Sequence, residues 1–165
     1  MIAVCLKLLD LSSFDTSRVS CMAYMFYGCE QLENIIFGER FDTSNVTDIN
    51  NMFRHCTSLK YLDLSSFDTS RVSCMQEIFS GCESLEYIIE QFNYESVAMM
   101  YIYIYIYEFC SKLKHVRLGK IDERCCLVDM FRICGDIEVV VLPEQKEMIE
   151  DKMKDMHNVR IVCEN

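Results

Sequence analysis

A chain of 165 residues, half of them hydrophobic, is long enough for one packed domain and too apolar for wholesale disorder. Its formal charge of −10, from 26 acids against 16 bases, repels phosphate backbones and argues against nucleic-acid and anionic-membrane partners. No apolar run approaches the roughly 18–20 residues of a membrane-crossing helix, so direct membrane insertion is not expected, and residues 1–10 lack the basic region and cleavage site of a secretory leader.

Residues 9–22 read Leu-Asp-Leu-Ser-Ser-Phe-Asp-Thr-Ser-Arg-Val-Ser-Cys-Met, and residues 62–75 repeat them letter for letter. Phe41-Asp42-Thr43-Ser44-Asn45-Val46 supplies a third copy of the central piece. With cysteine as phase zero, the coils align on Cys29, Cys56, Cys82, Cys110 and Cys134, with Ala3 in that place at the start. Leu6, Leu32, Leu59, Leu85, Leu113 and Ile137 come three residues later. Leu9, Ile35, Leu62, Ile88, Val116 and Val140 come six later; Leu11, Phe37, Leu64, Glu90, Leu118 and Leu142 come eight later, with Glu90 the one breach. The alternating pair at phases six and eight predicts a short half-buried strand. Val19, Met22, Met25 and Phe26, echoed by Val46, Ile49, Met52 and Phe53 and by Val72, Met75, Ile78 and Phe79, recur at three-residue steps and predict one or two turns of tight helix. Ser17, Ser44 and Ser70 stand where a hydroxyl can cap its first amides.

Later coils bend the pattern. Tyr and Ile alternate over residues 101–107, which by itself reads as a strand; counted back from Cys110, however, Met100, Tyr103, Ile106 and Tyr107 hold the Val, Met, Met and Phe phases, so the run is assigned to the fourth coil's helical arm with about three residues inserted ahead of it. The same alternation is what an AT dinucleotide tract encodes, so replication slippage explains it without a selected function. The fifth coil, around Ile121 to Phe131, lacks the Thr-Ser turn. After Pro143 the period stops. Residues 144–156 predict one helix, with Glu144 and Glu147 early, Lys152 and Lys154 late, and Met148, Ile149, Met153 and Met156 on its apolar side; Val159 to Cys163 then add a strand. No comparable cap precedes the first coil, which predicts a raw N-terminal edge.

One strand and one short helix cannot enclose a core, but stacked units can. The expected fold is an α/β repeat: a leucine-rich-repeat solenoid of about six coils over residues 1–142, with a short parallel sheet on one side and short helical turns on the other, followed by a C-terminal helix-strand cap at 143–165. Six coils at strand spacing give a rod on the order of 30 Å long. In such repeats an Asn or Cys column lies inside the coil, so the cysteines are expected to be reduced, buried ladder thiols.

The phrase Met-Phe-x-x-Cys-x-x-Leu-x-x-Leu-x-Leu-Ser-Ser-Phe-Asp-Thr-Ser-x-Val resembles the BspA-type leucine-rich-repeat surface proteins, specifically the bacterial surface protein 26-residue repeat group, closely over residues 1–90 and loosely over the next two coils. That resemblance implies a cell-surface or secreted, non-catalytic array that adheres to other proteins. A cytoplasmic scaffold is the alternative, suggested by the thiols and the leaderless start; a truncated fragment of a longer array is a third. The uncapped N-terminal edge also leaves end-to-end self-association open.

No catalytic constellation, metal site or cofactor is expected. His55 beside Cys56 is not an oriented pair, since Gly28 and Gly81 hold its phase in sister coils. His115 falls on a strand and His157 beyond the helix. Cys125, Cys126 and Cys134 lack paired zinc spacing, and Asp15, Asp42 and Asp68 suit their own turns better than calcium. The candidate ligand-binding residues are the outward strand positions Tyr61, Asp63, Tyr87, His115 and Arg117, where aromatics beside charges suit a protein or glycan ligand. Ordinary cross-strand stacking accounts for the same stripe without a ligand.

Overall fold

A computed structural model describes residues 6–90, 92–94 and 105–163. Ala3, Met100 and Tyr103 lie outside the described residues, as does the first part of the Tyr/Ile run. The elements in chain order are strands β1 (Leu8–Leu11), β2 (Asn34–Phe37), β3 (Tyr61–Asp63), β4 (Tyr87–Ile89), β5 (His115–Arg117) and β6 (Ile137–Val141), a 3₁₀ turn at Pro143–Gln145, helix α1 (Lys146–Met153) and strand β7 (Val159–Cys163). All paired strands are parallel and follow chain order, β1 with β2 in one ladder and β3 through β7 in the other. The chain is a parallel β-solenoid of about six turns. The predicted alternation is present in it: Leu62, Ile88 and Val116 are buried, each between two exposed neighbours on its strand.

The opposite side of each coil differs from the expected helix. Its amides alternate between two kinds of bond. In the first coil Met25, Tyr27 and Cys29 donate to the carbonyls of Met22, Tyr24 and Phe26, three residues back. Met22, Tyr24, Phe26 and Gly28 instead donate across to Asp48, Asn50, Met52 and Arg54 of the next coil, at 2.8–3.0 Å. The three-residue period in the sequence is therefore real, but it belongs to successive tight turns hung on the neighbouring coil. Left-handed residues stop those turns from propagating as a helix. They recur at two places per coil: Tyr24 and Gly28, Asn51 and His55, Glu77 and Gly81, Asp129 and Ile133, with φ between 53° and 77°. Phe109 (φ 62°) holds the second of these places in its coil.

Glycine at the second place is the unstrained choice, and at Gly81 it is also a steric one, because an added Cβ would overlap the His55 imidazole. Ile133 is the opposite case, a β-branched residue at φ 58° whose side chain is 56% exposed and so gains little from packing. Ile133→Gly should raise stability by about 1 kcal/mol, since a left-handed L-residue costs about 1–2 kcal/mol. A urea midpoint that stays put or falls in this variant would show that the strain is absorbed elsewhere.

Inside the coil two columns run the length of the rod. The rings of Phe26, Phe53, Phe79, Tyr107 and Phe131 stack in sequence, with centroids 5.2, 5.6, 5.3 and 5.3 Å apart and planes within 20° of parallel. Tyr107 thus takes the Phe phase and Ile106 is buried beside it, as the assignment of the Tyr/Ile run to the fourth arm requires. Beside the rings, the thiols of Cys56, Cys82, Cys110 and Cys134 donate to the carbonyls of Phe26, Phe53, Phe79 and Tyr107, each in the preceding coil, at 2.9–3.1 Å. The Asn158 side-chain amide faces the last carbonyl of that series, Phe131, at 3.5 Å.

The Phe-Asp-Thr-Ser corners are built differently from the capping expected of their serines. Asp15, Asp42 and Asp68 accept the backbone N–H of Ser17, Ser44 and Ser70, so the carboxylate closes the turn and Ser17 donates its hydroxyl to Asp15. The serine and arginine donors hold Asp15 down at about 2. Buried Thr16 and Thr43 donate to the carbonyls of Asp42 and Asp68, tying successive corners together.

The sixth coil slips by one residue. Val116 pairs with Val139, and the inward residues of β6 are Ile137, Val139 and Val141, not the expected Val140 and Leu142. The link from Cys134 into β6 is one residue shorter than in sister coils, and a one-residue slip exchanges the two faces of a strand. Helix α1 is shorter than residues 144–156. It buries Ile149 and Met153, with Met148 and Met156 packed against the core. The Gln145 amide clamps Ile121 by both its N–H and C=O, and Lys152 donates to the carbonyls of Glu123 and Cys125, which closes the fifth corner. Among the described residues no helix is long and apolar enough to cross a membrane.

Candidate functional site

The parallel register brings three of the five expected site residues into one row across the strands. Tyr61 pairs with Tyr87, and Tyr87 with His115. Asp63 and Arg117 sit two residues further along the same face, with Ile89 opposite Asp63, so they border the row and do not continue it. Asp63 also accepts the N–H of Ser65 in its own turn. Arg117 lines a separate cleft of about 270 Å³ with Glu90, Asn93 and Lys120.

The row extends beyond what the sequence showed. His115 pairs with Glu138 on β6, and Glu138 with Arg160 on β7. Glu138 stands 3.6 Å from His115 Nδ1 and 3.5 Å from Arg160, so one carboxylate lies between two basic side chains. The Tyr87 and His115 rings are nearly parallel, 6.3 Å apart. Tyr61 and Tyr87 are 46% and 54% exposed, so each ring offers a face to solvent. At the β5–β7 end the row opens into a cleft of about 380 Å³ lined by Lys114, His115, Asp136, Glu138, His157, Asn158 and Arg160. Glu138 and Arg160 were missed because the residue count from Cys134 puts Glu138 one place ahead of the row, at the phase of Lys60, Glu86 and Lys114, and the period stops before Arg160. Only the slip in β6 brings Glu138 into the row.

A second row flanks the aromatic one. The position just before each strand row carries Lys7, Glu33, Lys60, Glu86 and Lys114, with signs alternating from coil to coil. Lys7 and Glu33 form a 2.7 Å ion pair, and the Glu33 carboxyl is held below its usual range by Lys7 and, more weakly, by Lys60. The alternation was present in the sequence as a column one residue ahead of the strand phase. It leaves this side of the face with little net charge despite the strongly acidic chain.

Glu90, the one breach of the strand pattern, is buried. Its Oε1 accepts both the Tyr94 and Tyr107 hydroxyls, at 2.8 and 3.0 Å, and its Oε2 accepts the Phe92 N–H at 3.0 Å. Burial pushes the carboxyl up to about 7 against the pull of those three donors. The ladder thiols are raised by the same cause: Cys56 to about 12, Cys134 to about 11, and Cys82 and Cys110 well above the usual thiol range. A thiol that is both protonated and buried is a poor nucleophile. Iodoacetamide at pH 8 should therefore leave Cys56, Cys82 and Cys110 unlabelled in the native chain and label all eleven cysteines after denaturation. Mass spectrometry that found these three labelled natively, or found unlabelled disulfides after denaturation, would refute the ladder.

With this geometry in view, the family described as "Mycoplasma protein of unknown function, DUF285" matches residues 2–115, well over half of the chain. The chain belongs to that family. The match covers β1 to β4 and reaches His115, so within this DUF285 chain the aromatic row lies inside the matched part, and the slipped β6, α1 and β7 lie outside it. No curated protein and no solved structure matches the chain.

Proposed function

We propose that this chain is a non-catalytic binding and adhesion module that contacts a protein or glycan through its sheet face. The observation that carries the reading is the continuous row Tyr61, Tyr87, His115, Glu138 and Arg160, exposed except at the half-buried Glu138, which ends in an open cleft. Exposed aromatic rings next to a carboxylate and a guanidinium supply apolar contact and directional hydrogen bonds on one rigid surface. The resemblance of the repeat to the BspA-type leucine-rich-repeat surface arrays supports a cell-surface setting and a leucine-rich-repeat kinship for the coils.

The test is binding of the purified chain to immobilised fibronectin, laminin and collagen and to a glycan panel, alongside a Tyr61→Ser/Tyr87→Ser double variant with the same circular dichroism spectrum. We expect at least one ligand to be bound and the double variant to lose that binding by about tenfold or more, equivalent to about 1.4 kcal/mol. Binding that survives the double substitution, or no binding to any of these surfaces, would sink the reading. An intracellular scaffold is the second reading. The protonated thiol ladder favours it, because buried thiols of this kind persist without bridging in a reducing compartment.

A further inference from the structure

The character of the row and its two borders narrows the ligand class. The aromatic strip is one residue wide, Tyr61 to Tyr87 to His115, with Lys60, Glu86 and Lys114 along one edge and Asp63, Ile89 and Arg117 along the other, where Ile89 is the one apolar flank. The dry centre of a protein–protein hot spot is depleted of charge and ringed by contacts that exclude water. This strip is too narrow for that. A polyelectrolyte fits no better, because the alternating Lys/Glu border would repel it as often as attract it. The cleft at the end of the row is likewise balanced, with Lys114 and Arg160 against Asp136 and Glu138, and with the uncharged side-chain amide of Asn158 among them. Its volume of about 380 Å³ falls in the ordinary range of small-molecule sites, about 300–1,000 Å³.

A ligand with a flat C–H face for stacking and hydroxyls at its rim, and with no net charge, meets each of these conditions. We propose that the cleft between β5, β6 and β7, continued by Tyr87 and Tyr61, binds an uncharged oligosaccharide lying across the strands. One sugar ring occupies the cleft. Its hydroxyls donate to the Glu138 carboxylate and accept from Arg160 and Lys114, and charge-assisted bonds of this kind are the stronger ones. The following rings lie over Tyr87 and Tyr61, where C–H groups meet the negative faces of the aromatic rings. The proposal rests on the sheet face being the binding face and adds the class of ligand and the part of the row that grips it.

The experiment uses the purified chain on an array of defined glycans, with neutral oligosaccharides (glucans, mannans and N-acetyllactosamine chains) printed beside sialylated and sulfated ones, and fibronectin, laminin and collagen spotted on the same slide. Tyr87→Ala removes the platform, Glu138→Gln removes the charge and one of the two acceptor oxygens, and Tyr24→Ala, on the turn side of the coil, is the control. We expect binding to neutral glycans that changes little between 0.05 and 0.5 M salt, that falls about tenfold or more in Tyr87→Ala and in Glu138→Gln, and that is unchanged in Tyr24→Ala. Binding confined to sulfated or sialylated glycans and abolished by salt would overturn the uncharged ligand. Binding confined to the matrix proteins and lost in Tyr87→Ala would overturn the glycan while leaving the sheet face as the binding face. Binding that none of the face variants affects, or no binding at all, would overturn both.

Discussion

The folded chain should lose stability as pH rises from 5 to 8, and Glu90 should be the cause. Its carboxyl lies near 7 in the fold against 4.5 for an ordinary glutamate, because burial penalises the anion more than Phe92, Tyr94 and Tyr107 reward it. A group raised in the folded state stabilises the fold fully below its unfolded value, and that contribution fades as pH passes through the folded value. The window here runs from about pH 4.5 to about 7, and the difference amounts to on the order of 3 kcal/mol at about 1.4 kcal/mol per pH unit. The depressed carboxylates, Asp15 and Asp122 at about 2, act in the opposite sense and only in more acid solution. Glu90→Gln should flatten the profile, since its carbonyl can accept the Phe92 N–H while its amide donates to the two tyrosine oxygens, whose hydroxyls can turn. Urea midpoints at pH 5, 6, 7 and 8 measure this. A wild-type midpoint that holds steady or climbs over that range, or a glutamine variant with the same slope, would mean Glu90 is not the titrating group.

Phe79→Ala should be the most damaging single substitution in the aromatic column. Its ring is fully buried and touches three others, Phe53 at 5.6 Å, Tyr107 at 5.3 Å and Phe92 at 6.2 Å. Removing a buried phenylalanine costs about 3–5 kcal/mol through lost transfer energy and the cavity left behind. Against a total of about 5–15 kcal/mol for a domain, that leaves little. The effect should also spread. Each coil of a solenoid contacts only its neighbours, so a cavity in the third turn weakens the interfaces on both sides of it. Phe131→Ala, with Tyr107 as its one stacked partner among the described residues, should cost less. Urea denaturation followed by circular dichroism distinguishes the two, and a loss below about 1 kcal/mol at Phe79 would show that the column fills space without bracing the rod.

Glu90 and Phe79 lie in neighbouring parts of one structure. Tyr107 stacks on Phe79 and donates its hydroxyl to Glu90, and Phe92 stacks on Phe79 and donates its N–H to Glu90, so the polar breach in the strand pattern is anchored to the aromatic column at two residues. The Tyr hydroxyl is what allows a carboxyl to occupy a Leu position, since a buried carboxyl without donors would cost several kcal/mol. Substituting Phe at Tyr107 should preserve the stack and push the Glu90 carboxyl still higher by removing one of its three donors.

The residue pattern alone was enough to establish the 26-residue period, the strand phase and the inward columns of Leu, Cys and Phe, because burial in a stacked coil demands the same residue type at the same place in every turn; Leu6 and Cys29, at the start of their columns, are the exceptions and stand exposed. It also placed Ile106 and Tyr107 in the fourth arm, since only one phase of the coil accepts a large ring between Phe79 and Phe131. The three-residue step could not distinguish a helix from a chain of turns, because both close bonds three residues apart. What separates them is where the other amides go, and Met22, Tyr24, Phe26 and Gly28 find their acceptors one coil away in space. The place of Glu138 in the row, beside His115 and Arg160, depended on a slip of one residue in β6, which is decided by the ladder with β5 and not by counting from Cys134. Periodicity reports which residues must be buried. Hydrogen bonding between coils decides which of the remaining ones share a face, and it is the face that can bind.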